Sequence, residues 1–124
     1  MAAQPRPVRK NDAKALERKA GEAARLLAAL ANPRRLMILC ELAEGERSVG
    51  ELVEIVGLQQ AALSQHLARL RAEGIVATRR QSQMIFYRLA SAEAAAIINT
   101  LAEIFCRPHK AAKPSNPSKT RRPT

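Results

Sequence analysis

The sequence feature that most limits the possible folds is a change in the periodicity of apolar residues at Gly74. Before Gly74, apolar residues recur at steps of three and four, which is typical of amphipathic helices. After it come two short runs rich in β-branched and aromatic residues, 75–80 and 84–89, joined by the polar residues 81–83, and this pattern predicts a β-hairpin. A final helical stripe covers 91–106. We therefore expect a mainly α domain of about five helices with a two-stranded β-hairpin before the last helix.

Capping residues divide the part before the hairpin into four helices. The first helix is expected to begin near Asp12. Asn32, followed by a proline, predicts the start of the second helix, because Asn is a good N-cap and Pro suits the first helical position. Ser48 with a glutamate three residues later is a capping box that predicts the third helix, and the fourth opens around residues 59–60. Glycines mark the expected ends of the last three of these helices: Gly45, Gly57 and Gly74.

The third and fourth helices, followed by the hairpin, have the order of a winged helix-turn-helix. In that fold the second helix of the pair enters the DNA major groove, and here it spans about 60–73. Leu63, Leu67 and Leu70 give it an apolar side for the core. Gln suits bidentate contacts to adenine, Ser is a permissive hydrogen-bonding group, and Arg reaches guanine or phosphate. The predicted DNA-contacting residues of this helix and the hairpin are Gln60, Ser64, Gln65, His66, Arg69, Arg71, Arg79 and Arg80.

The charge distribution only partly supports DNA binding by this helix and the hairpin. The net charge is +10, but nine of those charges lie in residues 1–11 and 107–124, which contain no acid. Both segments are rich in proline and basic residues, so we expect disordered tails that attract DNA non-specifically. Residues 12–106 are nearly neutral yet polarised, with five arginines and one glutamate in 64–88 and five glutamates and one arginine in 41–54. From the residues alone, an ordinary solvated surface and a non-specific DNA binder stay open as alternatives.

Composition argues against several other classes of protein. No apolar run approaches the roughly 20 residues of a membrane span, and the first residues lack the apolar segment of a signal peptide, so a cytoplasmic protein without membrane contact is expected. Two cysteines are too few for a secreted disulfide scaffold. The chain has no Cys-x-x-Cys, nucleophile elbow or phosphate-binding loop, and we therefore expect neither an enzyme nor a bound cofactor.

Five short segments form a recognisable combination: LANPRRL at 30–36, SVGEL at 48–52, ALSQHLARLR at 62–71, EGIV at 73–76 and FYRL at 86–89. This combination resembles the arsenic-repressor (ArsR) family, and the resemblance covers about 12–106. It implies a homodimeric winged-helix repressor of transcription that an inducer releases from a palindromic operator. One departure is Gln59-Gln60-Ala61, where family members commonly have Ser-Gln-Ser, so the hydroxyls that would cap the fourth helix are missing.

The residues themselves also favour a homodimer. The first and last helices flank the predicted DNA-binding part, and a small domain has limited means of covering two long apolar stripes internally. Burial across a two-fold axis would cover both stripes and place two recognition helices about one DNA turn apart. The alternative is a compact monomer that folds the stripes inward. The stripes consist of Leu16, Ala20, Ala23, Leu27 and Leu30 in the first helix and Ala94, Ile97, Ile98, Leu101, Ile104 and Phe105 in the last.

The residues needed for the usual metal sites of the resembled family are absent. Ser48 and Gly50 occupy the positions of the two cysteines in the family's thiolate motif, so no soft site for arsenic, cadmium or lead is expected there. The last helix contains no histidine, which removes the interfacial zinc site that the resemblance implies. Cys106 and His109 alone would make a weak pair of ligands. No metal site is predicted.

Two cysteines remain as candidate sensing residues. Cys40 lies in the second helix and Cys106 at the end of the last, so any partnership between them is spatial. On chemical grounds a cytosolic thiol pair at a helix–helix contact is a candidate redox switch, whereas a packed Cys40 and an inert surface Cys106 are the alternative. The sequence resembles the sulfide-responsive branch of the family (the SqrR/BigR type), which has cysteines at both positions. The resemblance implies that persulfides or polysulfides link Cys40 to Cys106 and that the linked repressor leaves its operator; a metal or another ligand at a non-standard site is the alternative.

Overall fold

A computed structural model describes residues 9–106 of the chain. Residues 1–8 and 107–124, which make up most of the two predicted tails, lie outside the described part. No helix within 9–106 is long and apolar enough to cross a membrane. Five helices and three strands confirm the predicted mainly α fold with a β-hairpin. In chain order they are α1 (Lys10–Leu30), α2 (Pro33–Glu44), β1 (Arg47–Ser48), α3 (Val49–Val56), α4 (Gln60–Ala72), β2 (Val76–Gln81), β3 (Met84–Leu89) and α5 (Ala92–Phe105).

Side-chain caps begin three of the helices where the sequence predicts them. The Asn32 side chain accepts two backbone N–H groups, at 2.8 and 3.1 Å, before α2. Ser48 and Glu51 exchange reciprocal bonds of 3.2 and 2.8 Å at the start of α3, and Ser91 accepts a bond of 3.0 Å before α5. Gln59 makes no side-chain cap bond before α4, in agreement with the missing hydroxyls. The caps satisfy N–H groups that the first turn of a helix leaves unpaired.

The remaining helix ends follow from local geometry as well. α1 begins at Lys10 rather than near Asp12, and Arg9 takes the N-cap position, where its N–H donates to the Asp12 carboxylate at 3.3 Å. After α3 and α4 the chain turns at Gly57 and Gly74, whose φ angles of 79° and 75° lie in the left-handed region. A residue with a Cβ is strained there, so glycine is the residue that ends these helices.

The sheet contains one strand more than the two that the sequence predicts. Its order is β1-β3-β2 with antiparallel neighbours, and Arg47 pairs with Tyr87 between β1 and β3. β1 has only two residues, too few to show a strand periodicity, and the sequence pattern therefore does not reveal it. Ser82 and Gln83 form the turn between β2 and β3, and Ser82 has a φ of 61°. A positive φ at the first central residue, and not at the second, is the pattern of a type II′ turn.

The core takes apolar side chains from all five helices and from β2. On α4, Leu63, Leu67 and Leu70 are at most 1% exposed, which confirms the predicted apolar side of this helix. Burying a leucine side chain contributes about 1.5–3 kcal/mol, so these three residues fix the rotation of α4 about its axis. The polar residues of α4 are consequently turned away from the core.

The apolar stripes of α1 and α5 are only partly covered within one chain. Leu30 on α1 and Ile98 on α5 are buried in the core. In contrast, Leu16 and Leu27 on α1 are 55% and 54% exposed, and Phe105 on α5 is 78% exposed. Each chain therefore leaves large apolar side chains in water along both helices, which is the kind of surface that a partner covers.

Candidate nucleic-acid interface and cysteine pair

The outer face of α4 carries most of the side chains predicted to contact DNA. The turn at Gly57 leads from α3 into α4, and the two helices pack against each other. The exposed polar residues on α4 are Gln60, Ser64, Gln65, Arg69 and Arg71. Amide, hydroxyl and guanidinium groups on one side of a helix can form hydrogen bonds with base edges and phosphates in the major groove.

His66 has different surroundings from these exposed side chains. It is half-buried, and its Nδ1 lies 3.4 Å from Nη1 of Arg35 on α2. Burial lowers the pKa of His66, and the charges of Arg35 and Arg34 lower it further. The neutral imidazole is therefore favoured, and the ring is part of the contact between α2 and α4.

The two arginines predicted on the wing, β2 and β3, differ in their contacts. Arg79 donates from Nε to both carboxylate oxygens of Glu46, at 3.0 and 2.9 Å. Its guanidinium lies 4.7 Å from the ring centre of Phe86, within range of a cation–π interaction. The hydrogen bond between Arg79 and Glu46 raises the pKa of Arg79 and lowers the pKa of Glu46. Arg80, the next residue of β2, is exposed.

Ion pairs join the sheet to α2, the helix that carries the first cysteine. Arg47 on β1 lies 3.7 Å from Glu41 and 3.6 Å from Glu44, both on α2. Its side chain and that of Glu41 are only about one quarter exposed. Three acids of the segment 41–54, Glu41, Glu44 and Glu46, are thus paired with arginines of the sheet.

Cys40 and Cys106 are both free thiols, on α2 and at the end of α5, two helices that pack against each other. Cys40 is half-buried on α2, and Cys106 is exposed directly after α5. Burial raises the pKa of Cys40 most, followed by the charge of Cys106 and then by Glu41 and Glu44. Cys40 is therefore held mainly as the protonated thiol at neutral pH.

The positions of the resembled family's metal ligands have other contacts here. Ser48 is buried and accepts the capping bond of α3, and Gly50 lies in the first turn of that helix. Within residues 9–106, no three His, Cys, Asp or Glu side chains are grouped as metal ligands. His109 lies outside the described residues.

Three residues with contacts between elements were missed by the sequence analysis: Arg35, Glu46 and Arg47. The partner of Arg35 lies 31 positions away and the partner of Glu46 lies 33 positions away. Separations of this size leave no periodic signal. The available hint is that Arg35 and its partner His66 both stand in segments that carry the family resemblance.

The helix pair α3–α4 followed by an antiparallel hairpin is a winged helix-turn-helix, the fold of a large class of DNA-binding transcription regulators. Comparison with known proteins identifies a family within this class. Residues 32–78 match the family model for bacterial regulatory proteins of the arsR family.

Relatives match over most of the chain. A biofilm growth-associated repressor from Xylella fastidiosa is 52% identical over 97 residues, which cover 78% of this chain and 85% of that protein. The transcriptional activator HlyU from Vibrio cholerae is 49% identical over 92 residues, covering 74% and 85%. The crystal structure of the repressor BigR from Xylella fastidiosa, 51% identical, aligns with a TM-score of 0.72 over 76% of this chain and 96% of that one. The chain belongs to the arsR family and is therefore a transcription regulator, not an enzyme.

Proposed function

We propose that this chain is a homodimeric repressor of transcription that binds a palindromic operator and releases it when reactive sulfur species link Cys40 to Cys106. The observation that carries the proposal is the placement of two free thiols on packed elements, with Cys40 on α2 and Cys106 at the end of α5. One thiol is exposed and the other is half-buried, an arrangement that suits an attacking and a resolving cysteine. The inducer is an organic persulfide or polysulfide.

In the proposed complex α4 is the recognition helix and lies in the major groove, with the wing beside it. Amides suit adenine, and a guanidinium group suits guanine. The base-contacting residues are Gln60, Ser64, Gln65 and Arg69. Arg71 and Arg80 contact phosphates, which adds affinity without sequence information. His66 and Arg79 lie at the same surface and have further partners within the protein.

The proposed dimer forms through α1 and α5. Leu16, Leu27, Ile104 and Phe105 on these helices each expose more than half of their surface in a single chain. Covering such a side chain contributes up to about 1.5–3 kcal/mol, and two-fold symmetry doubles each contribution. In the proposed dimer the two α4 helices lie about 34 Å apart, the spacing that two half-sites on one face of DNA require.

The proposed chemistry has two steps. The exposed Cys106 thiolate attacks the terminal sulfur of the persulfide RSSH, which leaves a Cys106 persulfide and expels the thiol RSH. Cys40 then loses its proton and attacks Sγ of Cys106, forming the Cys40–Cys106 disulfide and expelling H₂S. Two cysteine thiols are oxidised and the terminal sulfur is reduced to sulfide, so atoms and electrons balance. The raised pKa of Cys40 lowers its thiolate fraction and so slows the second step.

The link would act on DNA affinity because α2 is central in the fold. α2 packs against α1, α3, α4, α5 and β3. A covalent bond to the end of α5 restrains α2 relative to the proposed dimer interface, and the packing carries that restraint to the two recognition helices. A difference in affinity of about 1–3 kcal/mol between the reduced and linked states, or about 5–150-fold, is the usual size of such coupling.

The test measures binding by fluorescence anisotropy to a duplex that the reduced protein selects from a random pool. Glutathione persulfide is expected to weaken the wild type by at least about tenfold, a change of ~1.4 kcal/mol. Cys40→Ser and Cys106→Ser are expected to bind like the reduced wild type and to keep their affinity in persulfide. Intact-mass analysis is expected to show the link within one chain.

Three results would contradict the proposal. Failure of the reduced protein to enrich any duplex would contradict operator binding. Equal loss of DNA binding by the wild type and Cys40→Ser in persulfide would contradict the dithiol switch. Release of DNA by zinc or arsenite from the wild type and from both serine variants would favour a ligand at a non-standard site.

A further inference from the structure

Arg35 joins three helices at one guanidinium group. Its Nε donates to the Ala29 carbonyl of α1 at 2.6 Å, and its Nη2 donates to the Ala28 carbonyl at 3.5 Å. Its Nη1 lies 3.4 Å from Nδ1 of His66 on α4. Arg35 itself stands in the first turn of α2. One side chain therefore connects the end of α1, the start of α2 and the middle of α4.

The chemistry of these groups fixes the direction of each bond. A guanidinium group only donates, so Nδ1 of His66 accepts and the proton of the neutral ring is on Nε2. Carbonyls in the last turn of a helix lack intrahelical donors and carry the negative end of the helix dipole, so a cation there is favourable. The last turn of α1 has no basic residue of its own. Arg35 supplies that cation from α2 and uses a further donor, on Nη1, for α4.

We propose that Arg35 is a positioning residue that sets the recognition helix α4 relative to α1 through Nδ1 of His66. The inference rests on the proposed function, in which α1 lies at the dimer interface and α4 lies in the major groove. In such a dimer the contact between α1 and α4 controls the spacing and tilt of the two recognition helices. His66 then acts on DNA affinity through Arg35 and not through its own contact with a base.

Two substitutions at His66 separate positioning from direct contact. Asn carries its amide oxygen two bonds from Cβ, as His carries Nδ1, so His66→Asn keeps the acceptor for Arg35. Gln carries both its amide nitrogen and its amide oxygen three bonds from Cβ, as His carries Nε2, so His66→Gln keeps the outer donor but has no acceptor at the position of Nδ1. Asn is also the poorer helix former, and helix stability alone therefore predicts that His66→Asn is the more damaging change.

The experiment measures affinity for the selected duplex by fluorescence anisotropy, together with the melting temperature of each variant. His66→Asn is expected to bind within about twofold of the wild type, whereas His66→Gln and Arg35→Lys are expected to bind about tenfold more weakly. Arg34→Lys is the matched control, because Arg34 is the exposed neighbour of Arg35, and it is expected to bind like the wild type. If Arg35→Lys fails to fold, the pair of His66 variants still decides the question.

Each other outcome overturns the inference. A weak His66→Asn beside an intact His66→Gln would mean that Nε2 contacts DNA directly. Wild-type affinity in both His66 variants would mean that the contact with Arg35 is dispensable. An equal loss of affinity in both would mean that the imidazole ring itself is required.

A measurement without DNA keeps the inference separate from the proposed function. The ¹⁵N shifts of the His66 ring show which nitrogen is protonated, and we expect Nε2–H in the wild type and a mixture of tautomers in Arg35→Lys. A wild type that selects no duplex would end the proposed function. An unchanged tautomer in Arg35→Lys would end the inference.

Discussion

At the residue scale, the acidity of Cys40 is open to a direct test that needs no oxidant. Burial is the largest cause of its raised pKa, and the charge of Cys106 is the second. Cys106→Ser removes the second cause and leaves burial, so the pKa of Cys40 falls but stays above its ordinary value. Because iodoacetamide reacts with the thiolate, the pH profile of Cys40 alkylation is expected to move to lower pH, as followed by mass spectrometry.

Glu54→Gln provides the control for this titration. Glu54 is exposed on α3 and does not contribute to the raised pKa of Cys40, so its removal is expected to leave the alkylation profile in place. If the alkylation profile of Cys40 is the same in Cys106→Ser as in the wild type, the two thiols are too far apart for the proposed link.

The protonation of His66 links the contact with Arg35 to pH. Its pKa in the folded protein is lowered by burial and then by Arg35 and Arg34, so the unfolded chain binds this proton more readily. The stability due to neutral His66 is full above the ordinary pKa of about 6.5 and is lost as pH falls from there through the lower folded-state value. Calorimetry is expected to show a steeper fall in melting temperature between about pH 7.5 and pH 5 for the wild type than for His66→Asn. Parallel curves would contradict this assignment; His109 is present in both proteins and does not affect the comparison.

At the scale of elements, the pair of Glu46 and Arg79 connects the segment after α2 to the wing. If the pair holds the wing in place, Glu46→Gln lowers operator affinity although it removes a negative charge near DNA. We expect a loss of roughly two- to fivefold in anisotropy titrations, the size typical of exposed pairs. Glu54→Gln removes the same charge from α3 without touching the wing and is expected to bind equally well or slightly more tightly. Binding by Glu46→Gln that is tighter than that of Glu54→Gln would mean that Arg79, once released, contacts the operator directly.

The elements predicted correctly from sequence are those encoded by near neighbours. The cap at Asn32 and the capping box at Ser48 join groups two or three positions apart, and the hairpin follows from two short β-rich runs. The contacts of Arg35 and Arg79 join positions 31 and 33 apart, and the two-residue strand β1 is defined by its partner β3. The sequence therefore predicts the surface that holds His66 and Arg79 but not their distinct surroundings, because those depend on how helices pack.

At the scale of the whole molecule, the exposed apolar side chains of α1 bear on the oligomeric state. Leu27 on α1 is 54% exposed and Ile55 on α3 is 47% exposed, which makes them a matched pair. Leu27→Glu is expected to convert a dimer to monomers in sedimentation velocity, since it places two charges in the proposed interface, and to weaken duplex binding with it. Ile55→Glu is expected to remain dimeric. A monomeric wild type, or dimers of both variants, would contradict an interface through α1.

The net charge of +10 also belongs to this scale, because most of it lies outside the described residues. Segment 107–124 has six basic residues and no acid: Arg107, Lys110, Lys113, Lys119, Arg121 and Arg122. Each phosphate that such charges neutralise steepens the plot of log affinity against log salt by about 0.9. Replacing all six by Gln is expected to flatten this slope and to weaken selected and randomised duplexes alike, since base contacts come from α4.

Anisotropy titrations at several salt concentrations with both duplexes measure the two effects separately. Ser64→Ala is the counterpart to the tail variant, because it removes a group from the recognition helix without changing any charge. It is expected to lower the ratio of affinities for selected over randomised DNA and to leave the salt slope unchanged. A tail variant with an altered ratio would instead place part of the sequence specificity in 107–124. An unaltered ratio would assign the high net charge to non-specific attraction and leave specificity to the nearly neutral folded part.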